Sequence, residues 1–258
     1  MIFILRNLAT VAAALAFCFS AMLPASADEA KSSFYDAATL PAFSLLAPSG
    51  FTPTLNYMSA SIGGIANIPA TNNGSKGGAS IGLGIVLPSD FGVTLNIDMD
   101  APQFSRRQEL AMSVGKYFKD WDASLSVGIR NITIWHNDGS QNVPSVYVAT
   151  SKIFVFEESI AILNGGLGNN DYRVITDTAP SASRAKVLSP FISAAYYMMP
   201  QLSIIADYTA GITTIGAGIV PLASWPLSFS VGIYDIGKAI PGHSDISWIA
   251  SLSTSVTF

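Results

Sequence analysis

The chain has 258 residues, of which 12% are charged, with 13 Lys+Arg against 17 Asp+Glu and a formal net charge of −4. An acidic balance with so few charges excludes nucleic acid as a partner, and it lies far below the roughly 25% charged residues of an ordinary soluble domain. Half of the residues are hydrophobic and the mean hydropathy is +0.42, yet beyond residue 27 there is no run of about 18 apolar residues that would cross a bilayer as a helix.

Residues 1–27, "MIFILRNLATVAAALAFCFSAMLPASA", have the layout of a secretory signal peptide: Arg6, an apolar run over 8–19, and Ala25-Ser26-Ala27 ahead of Asp28. The expected mature chain starts at Asp28. It has a net charge of −5, because only Arg6 is lost, and it contains no cysteine, because the one Cys, Cys18, leaves with the signal. A disulfide scaffold is thereby excluded. An exported chain this apolar, without a helix to span the membrane, has one other way to satisfy its backbone in lipid, the closed β-barrel.

Residues 28–50, "DEAKSSFYDAATLPAFSLLAPSG", form a separate N-terminal segment. With Leu40, Pro41 and Phe43 it is too apolar for an idle tail, so it is expected to plug the lumen, to pair as an extra strand or to bind a partner. The barrel is expected over 51–258. From its start, segments of alternating character recur at 53–62, 80–87, 93–100, 109–118, 123–134, 145–155, 159–167, 189–199, 202–210, 212–220 and 226–235, followed by the terminal strand. The clearest, "VTLNIDMD", sets Val93, Leu95, Ile97 and Met99 against Thr94, Asn96, Asp98 and Asp100. Two others, "ESIAILNGG" and "SPFISAAYYMM", are apolar on both faces. The expectation is an all-β, transmembrane, antiparallel up-and-down barrel of twelve strands, with ten and fourteen as the neighbouring even counts.

The connections support this reading. Long ones (63–78, 101–108, 135–143, 168–188, 236–245) alternate with short ones, apart from a tight turn at Gly211 where a long loop is due. Outer-membrane barrels alternate in this way because long loops face outward and tight turns face the periplasm. The polar faces are chiefly Ser, Gly and Thr, whereas a water-facing sheet surface carries Lys and Glu. Tyr117, Phe118, Trp121, Phe156 and Trp225 fall beside the short turns, and Trp135, Tyr208 and Trp248 near the opposite rim, where aromatic rings settle at the headgroup level. Lys116 and Lys152 are read as interface anchors.

The end, "DISWIASLSTSVTF", alternates Trp248, Ala250, Leu252, Thr254, Val256 and Phe258 with small hydroxyl residues. A final strand ending in Phe resembles the C-terminal assembly signal of bacterial outer-membrane barrels, although Val256 and Thr254 depart from the usual pattern. That resemblance implies the outer membrane as location, its lipid and the barrel-insertion machinery as partners, and Phe258 as the assembly signal.

Candidate chemistry is sparse. Strand parity points Asn96, Asp98, Asp100, Arg130 and Asp207 inward as pore-lining groups, with a net negative charge and hence a weak cation preference. His136 with Asp138, His243 with Asp245, and Asp98 with Asp100 each lie two positions apart, on one face of an extended strand. Carboxylate and His/Asp pairs at the outer rim resemble the constellation of omptin proteases, barrels in which such groups activate a water; omptins, however, place Asp before His and have ten longer strands. Ser244 falls on the face opposite His243, which does not suit a serine nucleophile. Asp98, Asp100 and Asp207 do not by themselves define a metal site. The expectation is a passive, porin-like channel for small solutes with no cofactor, the alternatives being a rim hydrolase and a non-conducting structural or envelope-assembly barrel. Nothing in the pattern sets an oligomeric state.

Overall fold

Alternation of apolar and small polar residues is realised as strand after strand. The computed structural model describes residues 40–66, 75–100, 108–135, 143–157, 159–174, 187–222, 226–240 and 246–258. Among these, the strands are β1 (Tyr57–Ala66), β2 (Ser75–Val86), β3 (Phe91–Asp100), β4 (Gln108–Phe118), β5 (Ala123–Arg130), β6 (Ile134–Trp135), β7 (Ser145–Val155), β8 (Ile160–Gly168), β9 (Ser189–Met199), β10 (Leu202–Thr209), β11 (Ile212–Ile219), β12 (Leu227–Tyr234) and β13 (Ser247–Thr257). Each pairs antiparallel with its neighbours, and β13 pairs with both β12 and β1. With β3 paired to β2 and β4, the sheet closes into a barrel of twelve spanning strands, the two-residue β6 being an appendage on β4. Closure leaves no edge strand in the spanning wall, so its ladder N–H and C=O groups pair between neighbouring strands.

Strand β1 starts at Tyr57 and not at residue 53, because residues 53–56 lead the chain into the wall. Strand β2 starts five residues before the expected position: Gly77 and Gly78 pair with Gly64 and Gly63 and contribute no side chain to an alternation signal. The segment expected as one strand over 123–134 breaks after Arg130. Asn131 takes a left-handed φ of 58°, a conformation that Asn tolerates better than most residues, and pairing with β4 resumes at Ile132 and Thr133. The tight turn between β10 and β11 has Ala210 (φ 55°) and Gly211 (φ 85°) both left-handed, the backbone of a two-residue hairpin loop whose twist matches that of the strands.

The two faces divide as the pleat requires. Met58, Ile62, Ile81, Val127, Ile204 and Leu252 point outward and are exposed, whereas Ser126, Ser151, Asn164, Ser193, Ser203 and Thr214 point inward and are buried. An outward apolar row next to an inward hydroxyl row fits hydrocarbon outside and a polar interior. At the end bearing the short turns, Trp121 stacks on Phe118 at 5.7 Å, and the Lys116 ammonium lies 5.1 Å from the Phe91 ring and 5.8 Å from that of Phe118. Lys152 covers Phe154 in the same way at 5.4 Å. Aromatic rings with snorkelling lysines mark this end as a membrane interface. Tyr117 departs from the girdle expected of it: its hydroxyl bonds the Asp122 carboxylate, and its ring borders the lumen mouth.

Candidate functional site

The barrel is not empty. Residues 40–55 run through the interior, and the inward side chains of β5 and β7–β10 are arranged around them. Asp207, near the outer end of β10, is 2% exposed. One of its oxygens, Oδ2, accepts from the Ser44 hydroxyl at 2.7 Å and from the N–H groups of Leu45, Leu46 and Ala47 at 3.2, 3.0 and 3.0 Å. Thr209 donates to the other oxygen, Oδ1, at 2.8 Å. Successive backbone N–H groups turned to one point make a concave anion seat, and here the anion belongs to the wall.

Further along the segment, Gly50 donates its N–H to Ser151 Oγ at 2.9 Å and to Asn164 Oδ1 at 3.0 Å, while the Asn164 amide donates to the Pro48 carbonyl at 2.9 Å. Ser126 donates to the Ser49 carbonyl, Ser203 to that of Ala42, and Tyr197 to that of Pro41. Apolar contacts complete the seat. Ile160, Ile162, Ala195, Tyr197 and Ile205 form a buried cluster against which Phe43, Leu45 and Phe51 pack, and Ala47 joins a second with Ala149, Tyr172 and Phe191. Gly50 lies so close to the backbone of Thr150 and Ser151 that a Cβ would collide with it. Gly50→Val is therefore expected to expel the segment from its seat without opening the barrel, since the collision is with a rigid ladder strand. Limited proteolysis should then cut within residues 40–55, while heat-modifiable migration stays normal; continued protection of the segment would contradict this.

On the opposite flank the segment leaves a cavity of about 660 Å³, bordered by Tyr57 and Thr257 near the short-turn end and by Asn96, Asp98, Arg130 and Tyr172 towards the other. Arg130 Nη2 lies 2.7 Å from Glu109 Oε1 and 3.4 Å from Asp98 Oδ2. Glu109 was not among the expected site residues, although it has the same inward parity on β4 as Ala111 and Ser113. Tyr172, from the turn that follows β8, packs on Phe191 at 5.4 Å and on Tyr147 at 5.6 Å. Burial pushes its phenol up, opposed by the nearby Arg130 charge.

Of the expected pore-lining residues, Asn96, Asp98 and Arg130 border this cavity, and Asp207 lies beneath the segment. Asp100 is the last residue of β3, and its side chain lies outside the described part. Phe258 is 72% exposed, and its N–H reaches the Asn56 carbonyl at 3.1 Å. His136, Asp138, His243, Asp245 and Trp225 lie outside the described residues. Among the described residues, no three His, Cys, Asp or Glu groups are placed to hold a metal ion.

A closed antiparallel barrel with an apolar outer belt, an interfacial aromatic girdle and a small-polar interior has the architecture of a transmembrane β-barrel of the outer-membrane type. No family model matches the chain, and no curated protein sequence does. Solved structures similar to it include the Salmonella typhi outer membrane phospholipase dimer with bound calcium (9% identity, 79% of this chain and 90% of that one, TM-score 0.43). They also include Acinetobacter baumannii Omp33 (6%, 79% and 98%, TM-score 0.44) and an outer membrane channel from Pseudomonas putida F1 (10%, 80% and 97%, TM-score 0.42). At these identities the likeness is one of fold, and it says nothing of ligand or activity.

Proposed function

We propose that the chain is a passive, porin-like channel for small solutes whose lumen is narrowed by its own N-terminal segment. The carrying observation is the cavity of about 660 Å³ beside that segment, which is bordered by residues from both ends of the wall. Asp98 and Arg130 border it and Glu109 pairs with Arg130, so the three groups together carry one net negative charge, and a net negative charge beside a narrow passage enriches cations. A second reading, a non-conducting structural barrel, draws on the dense hydrogen bonding of the segment and makes the same lumen a permanent plug.

Reversal potentials across a salt gradient test the first reading. The refolded wild type is expected to favour cations weakly, and Asp98→Asn with Glu109→Gln to shift the potential towards anions. A potential that ignores both substitutions would remove these groups from the passage. In the same reading Phe258 is the mark by which the barrel-insertion machinery engages the final strand. Its deletion should lower the amount of folded barrel in the outer membrane; undiminished levels of heat-modifiable protein would count against that role.

A further inference from the structure

The wall holds the segment almost wholly through its main chain. Pro41, Ala42, Pro48 and Ser49 are engaged at their carbonyls and Leu45, Leu46, Ala47 and Gly50 at their N–H groups, while among the described residues of the segment Ser44 alone hydrogen-bonds the wall through its side chain. What the seat asks of side chains is apolar groups at 42, 43, 45, 46, 47 and 51, and glycine at 50. The segment also borders two cavities, of about 660 and 650 Å³, the second lined in part by Ile162 and Tyr197 of the seat itself. Phe43, Phe51, Thr52, Pro53 and Thr54 border both, and no wall residue does. Main-chain hydrogen bonds thus tie the segment to β5 and β7–β10, while Leu45 and Leu46 also pack against the cluster of Ile212, Tyr234, Ile240 and Ile249; none of these contacts belongs to the wall ladders, so departure of the segment would leave them intact. Leu55, on the stretch leading into β1, is 63% exposed, so a break in the chain there costs no packing.

We propose that the inner wall formed by β5 and β7–β10 is a peptide-binding site anchored by Asp207, and that residues 41–50 are its exchangeable occupant, held in cis. Its ligand class is a polypeptide with a bend that turns three successive N–H groups to one carboxylate and that carries glycine three residues beyond them. Main-chain hydrogen bonds supply affinity, and the side-chain requirements supply selectivity. The inference rests on the channel reading only for its conductance readout; binding is measured independently.

The test uses the full chain, folded with a thrombin site inserted after Leu55 and cut only afterwards. Once the freed segment has been washed away, a fluorescent synthetic peptide of residues 40–55 is titrated in and followed by anisotropy. Saturable one-to-one binding is expected, weakened about tenfold or more by Asp207→Asn in the barrel, since hydrogen bonds to a charged group are worth roughly 1.5–3 kcal/mol. Gly50→Val in the peptide, tested against the unaltered barrel, should weaken it similarly, so the proposal does not depend on the folding of the Asp207 variant. A segment that never leaves after cutting, a peptide that does not bind the emptied barrel, or equal binding by the Gly50→Val peptide would each overturn the site. If the peptide binds but leaves ion conductance unchanged, the site stands and the channel reading fails.

Discussion

Replacing Asp207 with alanine is expected to free residues 44–47 from the wall while the barrel stays closed. The substitution removes the common acceptor of four donors, three of them backbone N–H groups. A buried donor left unsatisfied costs about 1–3 kcal/mol, so even partial rescue by water leaves the docking of the segment weakened by several kcal/mol. The loss falls on the segment alone, because the backbone ladders of β10 to β9 and β11 do not depend on the side chain. Hydrogen exchange at the amides of Leu45, Leu46 and Ala47 should accelerate strongly, with little change in β12 and β13. Unchanged protection at those amides, or exchange rising equally throughout the barrel, would show that Asp207 does not hold the segment.

Leu95→Arg is expected to impair folding far more than Thr94→Arg, although the two positions are adjacent on β3. Leu95 sits opposite Leu83 and Met112 in the outward row, whereas Thr94 sits opposite Gly84 and Ser113 and borders the large cavity. An arginine facing lipid at the bilayer midplane costs about 2–4 kcal/mol, while a lumen substitution mainly tunes selectivity. Refolding into lipid vesicles with urea titration should show that difference. Equal losses would mean that the assignment of the faces is mistaken.

The barrel was legible because its signal repeats. Twelve alternating segments whose polar faces lack Lys and Glu are hard to reconcile with a sheet facing water. The register of "VTLNIDMD" follows directly from its side chains. Elsewhere the signal was thin for physical reasons. The glycine-rich start of β2 has too few side chains to alternate, and the break at Asn131 depends on one left-handed residue. The segments that read as apolar on both faces, β8 and β9, have an apolar inner face because Ile160, Ile162, Phe191 and Tyr197 pack against other groups inside the barrel, the N-terminal segment among them.

The candidate site was legible in its parts and not in their pairing. An apolar segment ahead of the barrel and an inward Asp207 were both visible, but an inward carboxylate is the same letter whether it faces passing ions or caps three N–H groups. Main-chain recognition leaves little trace in the residue types of the segment being recognised; Gly50 is its one plain mark. Arg130 was visible as the inward base, and its partner Glu109 could have been found by extending the parity of Ala111 and Ser113 two residues towards the outer end of β4.

Single-channel recording on one refolded preparation, before and after residues 28–50 are removed, tests the central claim most directly. The account predicts a small conductance for the intact chain and a several-fold larger one once the segment is gone, because the passage along one side of the lumen becomes the whole lumen. Equal conductance in the two states, or none in either while the barrel remains folded, would contradict it.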